Sequence, residues 1–192
     1  MKKLLGILVL GLFLTTPSWA DDIRDFQIEG MSIGDSLLDY LSEDEIENRS
    51  YPWRDKSKIY KSFHSEKDYN TYDYVMFTYL SDDKNYIIHE VAGRKYLEIK
   101  KCYKLQLEII KEIEQLISNA KKEDRGTLIY RGDKTKKSTV RIVNFLTEDG
   151  LIHIGCYDFS DKITKEENFK DSINVSIGSK KFLEFQESDD AF

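Results

Sequence analysis

Residues 96–120 read YLEIKKCYKLQLEIIKEIEQLISNA, and the periodicity of this stretch decides the expected fold class. At about 100° per residue, Ile99, Cys102, Leu105, Ile109, Ile110, Ile113, Leu116, Ile117 and Ala120 share one broad stripe. Lys104, Glu108, Lys111, Glu112, Gln115 and Ser118 fall opposite it. The spacing predicts a long amphipathic helix with one face against a core. Only Gln106 interrupts the stripe, and no Gly or Pro stands between Tyr96 and Arg125 to break it.

Outward from this helix the chain reads mostly as strands. Residues 58–63, 72–80 and 86–92 are rich in Tyr, Val, Ile and Phe, with a hairpin loop at SDDKN and an exit toward the helix at Gly93. Beyond the helix, KKEDRG reads as a solvated turn and 127–131 as a short strand. A hairpin follows over 139–147 and 151–159, turning at Glu148-Asp149-Gly150. Residues 168–171 read as loop, 173–177 as a last strand and 180–187 as a closing helical turn. Upstream, Ser32 with Asp35 and Ser42 with Glu45 fit capping boxes that open two short helices, near 33–41 and 43–49. The expected architecture is α+β: an antiparallel sheet of about five or six strands packed by one long amphipathic helix, with a short N-terminal helix pair, in a single domain over 21–192.

The first twenty residues have a separate reading. Lys2 and Lys3 precede an apolar run over 4–14, then TTPSWA and the acidic pair Asp21 and Asp22. The run is shorter than the roughly 20 residues that span a bilayer, and Ser18 and Ala20 give the small-x-small pattern of a signal peptidase site. Residues 1–20 are therefore expected to be an export signal cleaved after Ala20, with the product periplasmic or secreted. No cysteine stands at that point to take a lipid, and no later segment is apolar enough to span a membrane. Loss of Lys2 and Lys3 leaves 27 basic against 35 acidic side chains, a charge of −8, which disfavours nucleic acid and anionic lipid as partners. Lys134, Lys136 and Lys137 form the densest basic cluster and read as a solvated turn.

Cys102 and Cys156 are the only cysteines. Cys102 lies near the centre of the helical stripe, and Cys156 continues the face of Ile152 and Ile154 with period two, so both point to one core. In an oxidising compartment they are expected to form a disulfide closing a loop of about 54 residues; the alternative is two buried thiols.

Several patterns suggest catalysis. Gly30-Met31-Ser32-Ile33-Gly34 fits the G-x-S-x-G elbow, but the chain lacks the alternating parallel strands and helices that elbow requires. Gly34-Asp35-Ser36-Leu37 resembles the nucleophile block of the GDSL esterase and lipase family, which would make Ser36 the nucleophile. That family also carries Gly-x-Asn-Asp and Asp-x-x-His blocks, and neither is present; Lys61, Tyr86 and Gly150 stand three residues before His64, His89 and His153. The histidines have no ligand spacing for zinc, and the acidic clusters at 82–83 and 187–190 lack the alternation of a calcium loop. No cofactor or metal site is expected.

The phrase Ile28-Glu29-Gly30-Met31-Ser32-Ile33-Gly34-Asp35-Ser36-Leu37-Leu38-Asp39-Tyr40, with a helical Cys102 and Cys156-Tyr157-Asp158, resembles a group of small exported proteins of marine bacteria without known function. That resemblance implies an exported α+β domain and carries no catalytic residues. Gly30-Met31-Ser32 ahead of a small sheet is also similar, faintly, to the small lipoprotein of the outer-membrane β-barrel assembly machine. The expectation is a non-catalytic exported domain that binds a protein or small molecule, with a serine esterase using Ser36 as the alternative.

Overall fold

The computed structural model describes residues 22–53 and 58–188. The expected export signal, its cleavage point and the end of the acidic tail at Asp189 and Asp190 lie outside these residues. Eight strands form one antiparallel sheet: β1 (Tyr51–Pro52), β2 (Tyr60–Ser65), β3 (Tyr74–Leu80), β4 (Ile88–Tyr96), β5 (Lys121–Ile129), β6 (Thr139–Leu146), β7 (Gly150–Asp158) and β8 (Ser172–Ser179). Their order is β1-β2-β3-β4-β8-β7-β6-β5. Two four-stranded meanders therefore meet at the β4–β8 pair. Four helices accompany them: α1 (Glu43–Arg49), α2 (Ile99–Leu116), α3 (Asp161–Glu167) and α4 (Lys180–Glu187).

This corrects the expected five- or six-stranded sheet packed by a single long helix. The chain is mostly sheet, and the helical work is divided. The differences lie at the two edges: β1 is not among the expected strands, and β5 starts at Lys121, taking in the expected turn KKEDRG ahead of the short strand expected over 127–131. In β5 the sequence KKEDRG is exposed on both sides, so no apolar alternation marks it, and its charges suit an edge that must resist pairing with other chains. A bulge between Asp124 and Gly126, with Gly126 at φ 65°, turns the strand, and Asp124 pairs with Arg141 on β6 at 3.1 Å. At the other edge β1 is two residues long and carries Pro52, which has no N–H to donate. The expected first helix is reduced to a 3₁₀ turn, Leu37–Asp39, while α1 begins where Ser42 accepts from the Glu45 N–H.

Helix α2 links the central strand β4 to the edge strand β5 and crosses the sheet beneath β7 and β8. It buries Cys102, Ile109, Ile110 and Ile113, each isoleucine contributing roughly 1.5–3 kcal/mol. Gln106, which breaks the apolar stripe, is fully buried, and its Nε2 donates to the carbonyls of Arg141 and Ile154 at 3.0 and 2.9 Å. The break in the pattern is thus a polar anchor between helix and sheet. Opposite the helix stand Val91, Val143, Phe145, Ile152, Ile154, Ile173, Val175 and Ile177. Cys102 and Cys156 are disulfide-bonded, with Cα atoms 5.9 Å apart, and tie α2 to β7. Among the described residues, no helix is long and apolar enough to cross a membrane.

Two glycines mark close approaches. A Cβ on Gly150 would lie 2.2 Å from the Gly178 carbonyl oxygen, so the Asp149-Gly150 turn needs glycine for strand packing. A Cβ on Gly93 would meet the Tyr72 ring at 2.6 Å; the ring lies over the glycine, and β4 continues past it to Tyr96.

Candidate functional site

The segment carrying the catalytic-looking patterns is a structural strap. Ile28 and Met31 exchange backbone hydrogen bonds around a two-residue turn in which Glu29 (φ 54°) and Gly30 (φ 82°) are both left-handed. The Glu29 carboxylate accepts from the N–H groups of Thr71, Asn70 and Tyr72 at 2.7, 3.1 and 3.2 Å, which fixes the approach to β3. Ser32 is buried and donates to the carbonyls of Phe26 and Arg24, while its N–H goes to the Asp35 carboxylate. Its hydroxyl therefore braces the strap and does not cap a helix. Gly34 and Leu37 donate to the carbonyls of Ile88 and Tyr86, and Ile88 donates to that of Asp35. Ser36 Oγ donates to the Asn85 carbonyl at 2.6 Å and accepts from the Leu38 N–H at 3.2 Å.

None of the three histidines is hydrogen-bonded to Ser36. His64 Nε2 shares a 2.6 Å hydrogen bond with the Tyr51 hydroxyl, His89 Nδ1 lies 3.0 Å from Ser179 Oγ at the start of α4, and His153 Nδ1 lies 3.0 Å from Asn144 Oδ1. Among the described residues, no group of three His, Cys, Asp or Glu side chains could hold a metal ion. The lysines at 134, 136 and 137 stand exposed on the β5–β6 turn, which is organised inside by buried Asp133 accepting from Thr135, Ser138 and Ser160.

The chemistry of the molecule collects on the sheet face away from α2. Side chains alternate across a strand, so every strand that sends apolar residues to the core sends its alternate set here. One rung of the register runs His64, Met76, Ala92, Ser176, His153 and Asn144 from β2 to β6. The next runs Tyr74, Arg94, Asn174 and Gly155 from β3 to β7. Ala92, Ser176 and Gly155 are small. A Cβ on Gly155 would sit 2.8 Å from His153 and 3.0 Å from Tyr157, so glycine there lets both rings lie along the strand. These small residues are buried, with the rings of His153 and Tyr157 against Gly155 and the taller Tyr51 and Tyr74 beside them, so the face is a polar trough floored by small residues beneath rings.

Helix α4 closes one end of the trough. Phe182 and Phe185 pack with Tyr60 as a second, small apolar cluster. The other end is bounded by the turn after α3, where Asn168 takes a left-handed conformation (φ 56°). A cleft of about 260 Å³ opens there, lined by His64, Glu66, Tyr74, Arg94, Tyr96, Glu167, Asn168, Phe169 and Lys170.

The electrostatics of this face differ from those of an ordinary solvated sheet surface. Burial raises the Glu90 carboxyl to about 7, against the opposing effect of hydrogen bonds from Thr78 and Ser176. Ser62, Thr78 and Glu90 form a chain of 3.2 Å contacts across three strands. Burial pushes His153 down to about 4, with the charges of Arg125 and Arg94 adding to the effect. His64 is lowered by burial and by Arg94. Arg94 itself lies between two rings, its guanidinium carbon 5.0 Å from the Tyr157 centroid and 5.9 Å from that of Tyr74. Its charge partly offsets the burial that raises Tyr74.

The features that define this chain are thus one eight-stranded antiparallel sheet whose face away from α2 carries buried polar chemistry, a β-rich scaffold with a side-chain trough. No protein-family model matches it, and neither a search of curated proteins nor one of solved structures finds a match. The strap's residues stand out in sequence, but they read there as a capped helix and not as a strap. The trough was not, because strand residues facing away from the core look alike whether they meet water or a cleft. Arg94 was missed for a second reason, that Gly93 reads as a strand end.

Proposed function

We propose that the protein is a non-catalytic, exported binding domain and that the trough on the sheet face away from α2 is its binding surface. The observation that carries this reading is the convergence of Glu90, Arg94, His153, Asn174 and three tyrosines around the buried small residues Ala92, Ser176 and Gly155, with a cleft of about 260 Å³ opening beside Arg94. Binding sites are concave and place few polar groups among rings and apolar walls, and this trough has that composition. A small molecule suits the cleft of about 260 Å³ at its end. Export is supported by the pattern of residues 1–20, by the resemblance carried by residues 28–40, and by a disulfide of the kind oxidising compartments maintain.

A fragment library screened by nitrogen-15 NMR tests the binding surface. Localised shifts are expected at Tyr74, Arg94, Ser176 and His153, and a library that leaves all four unmoved would overturn the reading. The same preparation should show no turnover of 4-nitrophenyl acetate above background, because Ser36 Oγ is committed to the Asn85 carbonyl and the Leu38 N–H. Turnover abolished by Ser36→Ala would replace the binding reading with the esterase one. Protein recovered from the envelope fraction or the medium should have an intact mass beginning at Asp21; a mass beginning at Met1 would refute export with cleavage.

A further inference from the structure

Arg94 combines three properties that rarely meet in a structural arginine. It makes no salt bridge among the described residues, although eight such pairs are present elsewhere. Its Nε is buried and has no hydrogen-bond partner. Its guanidinium carbon lies within 6 Å of the ring centroids of both Tyr74 and Tyr157, at 5.9 and 5.0 Å, and the side chain lines the 260 Å³ cleft. A guanidinium removed from water without an anion is costly, and ring faces replace only part of its hydration. One hydrogen bond joins it to the Tyr74 hydroxyl, and Nε with the rest of its N–H edge is left for a planar acceptor.

We infer that this cleft binds the carboxylate of a small aromatic monoacid, with Arg94 taking the carboxylate and Tyr74, Tyr96 and Phe169 contacting the ring. The inference rests on the reading of the sheet face away from α2 as a binding surface and gives that surface its ligand class. Carboxylate follows from the fork geometry of guanidinium, which donates two parallel N–H bonds to two oxygens in its own plane. A single negative charge follows from the rim, where Glu66 and Glu167 offset Lys170 and would repel a dianion. The small size follows from the volume, which lies just below the range of roughly 300–1,000 Å³ for small-molecule pockets. An aromatic body follows from the walls, where Tyr74 and Tyr96 have ring centroids 6.0 Å apart.

Phenylacetate, phenylacetamide and phenyl phosphate, titrated into the purified protein by calorimetry and nitrogen-15 NMR, separate the possibilities. Phenylacetate is expected to bind with shifts at the Arg94 Nε–H, Tyr74 and Tyr157, and phenylacetamide and phenyl phosphate at least tenfold more weakly. Arg94→Met should weaken phenylacetate at least tenfold. Arg94→Lys should weaken it several-fold, because an ammonium keeps the charge and loses the fork. Should Arg94→Met fail to fold, the comparison of acid with amide on the unaltered protein decides alone. Absence of phenylacetate binding, equal or tighter binding of the amide or the phosphate, or a folded Arg94→Met that binds phenylacetate unchanged would each overturn the carboxylate inference. If other fragments still shift the trough residues, the binding surface stands without it; if none does, both readings fall.

Discussion

The double variant Cys102→Ala/Cys156→Ala is expected to lose about 4 kcal/mol of stability, a fall in Tm of roughly 8–16 °C for a chain of this size. The bridge closes a loop of 54 residues, so its chief effect is to restrict the unfolded chain. That loop holds α2, β5, β6 and most of β7, so the unbridged chain must bring together elements that the oxidised chain never separates. Both sulfur positions are fully buried, so alanine adds a cavity contribution of the same sign. Chemical denaturation of the oxidised protein and the double variant measures the difference. A change below about 1 kcal/mol would show that the bridge restrains little beyond what the packing of α2 already does. Thiol titration of the unfolded, unreduced protein should find no free thiol.

Glu90→Gln is expected to raise stability at pH 8 by about 3 kcal/mol, the energy equivalent of moving a carboxyl from its ordinary value of 4.5 to about 7. A carboxyl raised on folding contributes stability that is fully present below its unfolded value. That contribution is lost as pH rises through the folded one, here between about 4.5 and 7. Glutamine holds the neutral form at every pH, so wild type and variant should coincide near pH 4 and diverge above it. His153 has the opposite sign. Its value falls from 6.5 to about 4 on folding, so its contribution is present above 6.5 and is lost as pH falls toward 4. The two opposed slopes should leave the wild type nearly flat between about pH 4.5 and 6.5, whereas Glu90→Gln should gain stability with rising pH across the same window. Melting curves at half-unit intervals test this. A variant that tracks the wild type up to pH 8 would mean that Glu90 is solvated and that the trough is an ordinary surface.

Such a result would bear on how far sequence can go for this chain. Elements with one apolar face and one wet face were legible: the stripe of α2, the alternation of Ile152, Ile154 and Cys156 in β7, and from these two the pairing of the cysteines. Elements without that contrast were not. The first half of edge strand β5 is exposed on both sides, so only its end, within the expected 127–131, reads as strand; β1 is too short for any period, and α3 has a single buried apolar residue, Ile163. The trough failed for a different reason. Glu90, His153 and Asn174 stand at positions where alternation predicts polar residues, and nothing along the chain says that the rings of Tyr51, Tyr74 and Tyr157 rise around them. Gln106 shows the same limit from the other side. A polar residue in an apolar stripe reads as an interruption until the sheet supplies the carbonyls of Arg141 and Ile154.

The meeting of the two meanders at β4 and β8 sets an order of events for a chain that emerges from its N-terminus. Glu90 lies opposite Gly178, and β8 is the last strand made, yet it occupies the middle of the sheet. Until it arrives, β4 and β7 each present a bare, apolar edge, the most hazardous kind of edge for sticking to neighbours. Cys156 emerges before β8, so oxidation to Cys102 can occur while that central slot is still open. The bridge then holds α2 against β7 as a half-built wall, and the final strand enters between two prepared edges.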